Sequence, residues 1–253
     1  MKNDRSMDGN TDQQIKPYKK DAAYSYTLGA FPTFELVLSR PEQVRKILAD
    51  TGFTDREKLQ RLCEEKHIPL EYNNKLLSKI SDKENCYVAG VFDKYICSLA
   101  ADKPHIVLVN PSNMGNLGTI LRTAVGFGIY NIAIILPGAD IFHPKTLRSS
   151  MGAIFRLNFC QFQSFEEYRM QFAKHDIYTF MLNGENTLTL QDCPKSKLYA
   201  LVFGNEATGL DNSFLEVGTS IIIPQSQDVD SLNLTIAVGI GTYVFTTMNK
   251  GDA

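Results

Sequence analysis

Two short apolar runs near the end of the chain, each cut off by residues that break a strand, constrain the fold most. Leu198–Phe203 stops at Gly204-Asn205-Glu206, and Ser220–Ile223 stops at Pro224-Gln225. Apolar and β-branched runs of this length, bounded by glycine or proline, read as buried strands. Open α/β sheets bind ligands in the loops at the carboxyl ends of such strands. Ser231-Leu232-Asn233 then leads into an apolar stretch reaching Phe245, which reads as a buried or interface helix with Ser231 as its N-cap. The threonines and glycines in that stretch argue against a membrane span.

Several site chemistries are excluded early. Gly204–Gly209 has the spacing of a phosphate-binding P-loop, but Leu210-Asp211 stands where Lys and Ser/Thr are required. Gly126-Phe127-Gly128 lacks the third glycine of a dinucleotide fingerprint and falls at the end of its helix. The histidines His67, His105, His143 and His175 are scattered, and Cys63, Cys86, Cys97, Cys160 and Cys193 form no CxxC pair, so no metal site is expected. An odd set of thiols suits a reducing, cytoplasmic compartment. The polar amino-terminal segment has no apolar h-region and so does not read as a signal peptide. A net charge of −2 means that any contact with nucleic acid rests on local patches.

In order, residues 1–22 read as a disordered polar tail, either an inert one or a flexible basic arm through Lys16, Lys19 and Lys20. Residues 23–95 read as a small α/β domain. Within it, Phe34–Leu38 is expected as a strand, Pro41–Leu48 as a helix, Thr54–Lys66 as a helix, His67–Tyr72 as a strand, Asn73–Ser81 as a helix and Cys86–Phe92 as a strand. Its basic residues, among them Arg40, Arg45, Lys58 and Arg61, form either an RNA-facing patch or solvated helix faces balanced by Glu42, Glu57 and Glu64. Residues 96–104 read as a linker. Residues 105–253 then alternate strands (His105–Val109, Asn131–Leu136, Phe155–Phe162, Asp176–Leu182 and the two opening runs) with helices. That is the pattern of an open, mostly parallel α/β sheet of six strands.

Three blocks carry a family resemblance. They are Asn116-Leu117-Gly118-Thr119-Ile120-Leu121-Arg122, preceded by Asn113; Val202-Phe203-Gly204-Asn205-Glu206-Ala207-Thr208-Gly209-Leu210; and Ile223-Pro224 followed by Ser231-Leu232-Asn233-Leu234-Thr235. In order and spacing they resemble the SpoU/TrmH family of RNA 2′-O-ribose methyltransferases, within the SPOUT superfamily, over residues 105–248. Residues 31–95 resemble the ribosomal-protein-like substrate-binding domain frequent in that family. Gln225, Thr235 and Asn205 depart from the commoner family residues. The resemblance implies a carboxyl-terminal α/β trefoil knot, a homodimer through the knotted domain, an RNA substrate (ribosomal RNA ahead of tRNA) and S-adenosyl-L-methionine as cofactor, with no metal. The cofactor residues it implies are Leu182, Asn183, Phe203, Gly204, Asn205, Ile223, Pro224, Gln225, Ser231 and Leu232. Glycine at 204 is expected to let backbone approach the ligand closely.

The implied catalytic set is Asn116, Arg122, Glu206, Ser231 and Asn233. A ribose hydroxyl is a poor nucleophile, so positioning it in line with the methyl group is the main task. Arg122 reads either as a solvated helix residue or as one pointing into the strand-end site. A guanidinium with a pKa above about 12 is a poor base. In the second reading it therefore holds phosphate and stabilises developing alkoxide. Glu206 would orient Asn116 or Arg122, while Ser231 and Asn233 would fix the loop. The alternatives are a catalytically silent RNA-binding or assembly factor on the same fold and, more remotely, a small-molecule methyltransferase. The intact motif residues speak against the first and the extra domain against the second.

Overall fold

The computed structural model describes residues 15–81, 85–182 and 187–248. The amino-terminal unit comprises β1 (Tyr24–Leu28), α1 (Ala30–Ser39), a 3-10 turn (Pro41–Gln43), β2 (Val44–Ala49), α2 (Arg56–Glu65), β3 (Leu70–Tyr72), α3 (Asn74–Ile80) and β4 (Val88–Asp93). Its sheet runs β1-β4-β2-β3, with β2 and β3 parallel and the other pairs antiparallel.

Two expected elements exchange type here. Phe34–Leu38 lies within helix α1, whose buried residues Pro32, Thr33, Leu36 and Val37 recur at helical spacing. Most of Pro41–Leu48 is strand, because Ile47, Leu48 and Ala49 are buried in the middle of the sheet. A short apolar run buried on both faces loses the period that separates strand from helix. Strand β1 escapes sequence reading because its Ser25 and Thr27 look polar. Both are fully buried and bonded, Ser25 Oγ to the Phe142 carbonyl at 2.5 Å and Thr27 Oγ1 to Thr33 Oγ1 at 2.8 Å. The expected tail also ends earlier. Residues 1–14 lie outside the described residues, but the Tyr18 hydroxyl donates to the Asp140 carboxylate and Ile15 packs against an apolar cluster.

The second unit comprises β5 (His105–Val109), α4 (Met114–Gly126), β6 (Asn131–Ile135), α5 (Pro144–Ser149), a 3-10 turn (Ala153–Arg156), β7 (Asn158–Phe162), α6 (Phe165–Gln171), β8 (Asp176–Phe180), β9 (Leu188–Thr189), β10 (Tyr199–Phe203), a 3-10 turn (Asn212–Glu216), β11 (Thr219–Ile222) and α7 (Leu234–Met248). The first part of the expected Phe155–Phe162 strand is the 3-10 turn, and β9 adds a strand to the expected set. The seven strands are parallel and ordered β7-β6-β5-β10-β8-β11-β9. Strand β10 enters between β5 and β8, next to the point where the outward march of β5, β6 and β7 reverses. That is where open parallel sheets bind ligands. The two units share apolar core, with Leu36 and Phe92 in one cluster with Ile106, Phe142 and Phe155. Polar contacts cross the same seam, including the Glu35–Arg156 ion pair at 2.7 Å and Arg40 Nε to the Phe155 carbonyl at 3.1 Å.

Candidate active site

Strand β10 ends in a loop that ties itself. The Asn205 and Gly209 backbones exchange hydrogen bonds at 3.2 and 2.9 Å. The Asn205 side chain accepts from Ala207 N–H at 2.8 Å and donates to the Asn110 carbonyl at 2.7 Å, joining the loop to the end of β5. Gly209 adopts a φ of 67°, which suits glycine. A Cβ on Gly204 would stand 2.1 Å from the Gly209 carbonyl carbon and 2.3 Å from Leu210 N. The expected reason for glycine at 204, close approach to a ligand, is therefore corrected. Its own returning loop fills that space, so Gly204→Val would break the loop whether or not anything binds.

The loop forms one rim of a pocket over the carboxyl ends of β8, β10 and β11. Phe180, Phe203, Ile221 and Ile223 make an apolar floor, closed by Leu234 and Ala237 on the first turn of α7. Phe180 and Phe203 stack at 4.2 Å between centroids. Gly241 seats α7 on them, since a Cβ there would come within 2.6 Å of Phe180 Cζ. Among the expected cofactor residues, Leu182, Phe203, Gly204, Asn205, Ile223, Gln225, Ser231 and Leu232 line the pocket. Pro224 is not among the lining residues, and Asn183 lies outside the described residues. Sequence reading missed Phe180, Ile221, Leu234 and Ala237. Strand-end position pointed to the first two, and the i, i+3 spacing on the following helix pointed to the others.

Glu206 links this pocket to the start of α4. One carboxylate oxygen accepts from Ser112 N–H at 2.9 Å and Ser112 Oγ at 2.8 Å, the other from Asn113 N–H at 3.0 Å and Asn116 Nδ2 at 3.3 Å. Burial pushes its pKa up, but the donated hydrogen bonds, from Ser112 first, outweigh that and hold it below the usual carboxylate value. Glu206 is thus an ionised acceptor with its lone pairs engaged, a clasp rather than a base. Asn113 caps α4, accepting from Gly115 and Asn116 N–H at 2.8 and 3.1 Å.

The other expected catalytic residues divide. Ser231 lines the pocket, but the cap of α7 is Asn233. Its Oδ1 accepts from Thr235 N–H at 2.8 Å and its carbonyl from Ile236 N–H at 2.9 Å, which corrects the expected cap at Ser231. Arg122 is on the third turn of α4. It is exposed and makes no hydrogen bond or ion pair among the described residues. Asn116 and Glu206 are thus brought together, and Arg122 stands free on the outer stripe of the same helix. Among the described residues there is no cluster of three or more His, Cys, Asp or Glu that could hold a metal. No helix among them is long and apolar enough to cross a membrane.

The chain is 36% identical over 139 residues to an uncharacterised tRNA/rRNA methyltransferase of Synechocystis, covering 54% of this chain and 51% of the relative. It is 29% identical over 146 residues to the 23S rRNA (guanosine(2553)-2′-O)-methyltransferase RlmP of Bacillus subtilis, covering 57% and 58%. The chain thus spans about half the length of the curated relatives it matches. Among solved structures, an AdoMet-bound rRNA methyltransferase from Sinorhizobium meliloti superposes with a TM-score of 0.75 at 25% identity, over 89% of this chain and 88% of that one. A sequence model of the SpoU rRNA Methylase family matches residues 103–243, the stretch that builds the sheet, the self-tied loop and the pocket. With more than half of its length matched, the chain belongs to the SpoU rRNA Methylase family.

Proposed function

We propose that this chain methylates a ribose 2′-hydroxyl in a structured RNA, ribosomal RNA ahead of tRNA, using S-adenosylmethionine. The observation that carries the reading is the Glu206 clasp. It joins the pocket rim to Asn113 and Asn116, so that residues of the first two motif blocks meet beside a pocket lined by Ile223, Ser231 and Leu232 of the third. The relative named for 23S rRNA 2′-O-methylation and the AdoMet-bound neighbour support it. The pocket fits the cofactor in kind, with an apolar floor for carbon framework and a polar loop rim at the strand ends. Bound there, S-adenosylmethionine would supply a methyl group on a sulfonium centre.

The chain's own residues would do the rest. Asn116, held by Glu206, orients the ribose. Arg122, a cation with no partner among the described residues, takes a phosphate and steadies charge developing on the 2′-oxygen, while the proton leaves to solvent. The test is transfer of a labelled methyl group to unmodified ribosomal RNA, beside calorimetry with S-adenosylmethionine. A chain that binds the cofactor and RNA yet transfers nothing to ribose would be the silent assembly factor instead.

The trefoil knot, the homodimer and a cytoplasmic setting belong to the same proposal. For the dimer, α7 leaves Ile236 and Tyr243 53% and 54% exposed, with Phe127 packed edge-on to Tyr243 at 5.8 Å. This apolar patch at the α4–α7 seam suits cover by a second copy. Light scattering that finds a monomer at micromolar concentration would refute it.

A further inference from the structure

Lys145 and Arg148 belong to none of the three motif blocks, and both project from α5 into solvent. Helix α5 is seated on α4 without slack. A Cβ on Gly118 would come within 2.4 Å of the Thr146 carbonyl oxygen and 2.6 Å of Ser149 Cβ. That seat lays the Lys145 stem beside the first turn of α4, with its Cε 3.9 Å from where a Cβ on Gly115 would stand. Gly115 precedes Asn116, which the Glu206 clasp ties to the pocket rim. Arg122 follows Gly115 by two helical turns, about 10 Å along the same exposed stripe.

The acids nearby are engaged. Four donors occupy Glu206, while Asp140 accepts from the Tyr18 hydroxyl and from Phe142 N–H. His143 uses its Nδ1 to cap α5 through Lys145 N–H. Lys145, Arg148 and Arg122 form no ion pair among the described residues, although the chain as a whole carries a net charge of −2. Unneutralised cations along the packed α4–α5 pair of an acidic protein mark a place for phosphate.

We propose that Lys145 grips a backbone phosphate of the RNA next to the nucleotide being methylated, with Arg148 extending the same track along α5. The inference rests on the RNA methyltransferase reading and deepens it by naming where the substrate backbone runs: past the amino-terminal end of α4, with Lys145 of α5 beside its first turn and Arg122 on its outer stripe. An ammonium is a point charge that accepts any phosphate orientation. Lys145 therefore positions the strand and carries no sequence preference.

The test compares wild type, Lys145→Gln, Lys145→Arg and Arg148→Gln on large-subunit ribosomal RNA transcribed without modification. For Lys145→Gln we expect KM for RNA to rise about three- to tenfold with a far smaller change in kcat, and the slope of log affinity against log salt to fall by about one. Lys145→Arg should restore both, and Arg148→Gln should lower the salt slope. S-adenosylmethionine affinity, read by calorimetry, should stay at the wild-type value throughout. Equal salt slopes for Lys145→Gln and wild type overturn the proposal, as does a Lys145→Gln that loses cofactor affinity, which would make the lysine structural. Because the slopes are read from binding alone, wild-type protein that binds the transcript but transfers no methyl group sinks the enzymatic reading while the slopes still decide on Lys145.

Discussion

Glu206 and Arg122 are both charged residues of the motif blocks, and the structure treats them in opposite ways. The carboxylate is satisfied from every side, so deprotonating a ribose would require it to give up bonds that hold Ser112, Asn113 and Asn116. The guanidinium has no partner among the described residues and is free to take one from the substrate. Arg122→Ala should therefore lower methyl transfer by about 10²–10³-fold, the scale of losing one donor to charge developing in the transition state. Cofactor affinity should not move, because Arg122 does not line the pocket. Arg122→Lys should also be poor, since an ammonium cannot reproduce a two-pronged contact. Labelled-methyl incorporation alongside calorimetry reads both effects. Near-normal turnover in Arg122→Ala would return the residue to an ordinary solvated position.

At the scale of elements, the legible parts of the chain were those with local punctuation. The self-tied loop after β10 announced itself through Gly204, Asn205 and Gly209, and the pocket through the abrupt ends of two strands. What was not legible depended on partners distant in sequence. Val44–Ala49 is a strand because β3 and β4 flank it, and Tyr24–Leu28 is a strand because β4 pairs with it from more than sixty residues along the chain, with Ser25 satisfied by the Phe142 carbonyl. The reason for glycine at 204 was also hidden, since only the fold shows its own loop returning over it. Gly118 is a similar case and makes a direct test of α4–α5 packing. In an open helix position Gly→Ala stabilises by about 1 kcal/mol. At Gly118 the added carbon would meet the Thr146 carbonyl, a backbone atom that cannot swing aside, and overpacking of this kind costs about 1–3 kcal/mol. Gly118→Ala should thus lower the urea midpoint. Gly126→Ala, on the same helix with nothing within 4 Å, should hold or raise it. A Gly118→Ala protein as stable as wild type would mean that α5 is not seated as closely as described.

At the scale of the whole molecule, the segment connecting the two units is fastened to the second by buried imidazole. His105 opens β5 with no solvent exposure, its Nε2 2.9 Å from the Ala100 carbonyl and its Nδ1 2.9 Å from the Tyr168 hydroxyl. With Nε2–H donating and Nδ1 accepting, the neutral ring satisfies both partners and fastens the connecting segment to α6. His175 packs against it in a tilted pair, 4.2 Å between ring centroids, and bonds the Lys103 carbonyl through Nε2 at 2.8 Å. Burial is the main cause that pushes the His105 pKa down from 6.5 to about 4, and the neighbouring His175 adds to it against the Ala100 bond. The folded state therefore disfavours the protonated ring, and the unfolded chain binds the extra proton between those two values. Stability from His105 is fully present above pH 6.5, falls as pH drops towards 4 and levels off below it. The total loss is on the order of 3 kcal/mol. Urea midpoints measured from pH 4 to 7.5 on wild type and His105→Gln should show it as a difference between curves, since the carboxylates titrate in both. Wild type should be the steeper of the two between pH 4 and 6.5, and parallel curves would show that His105 does not couple stability to protons.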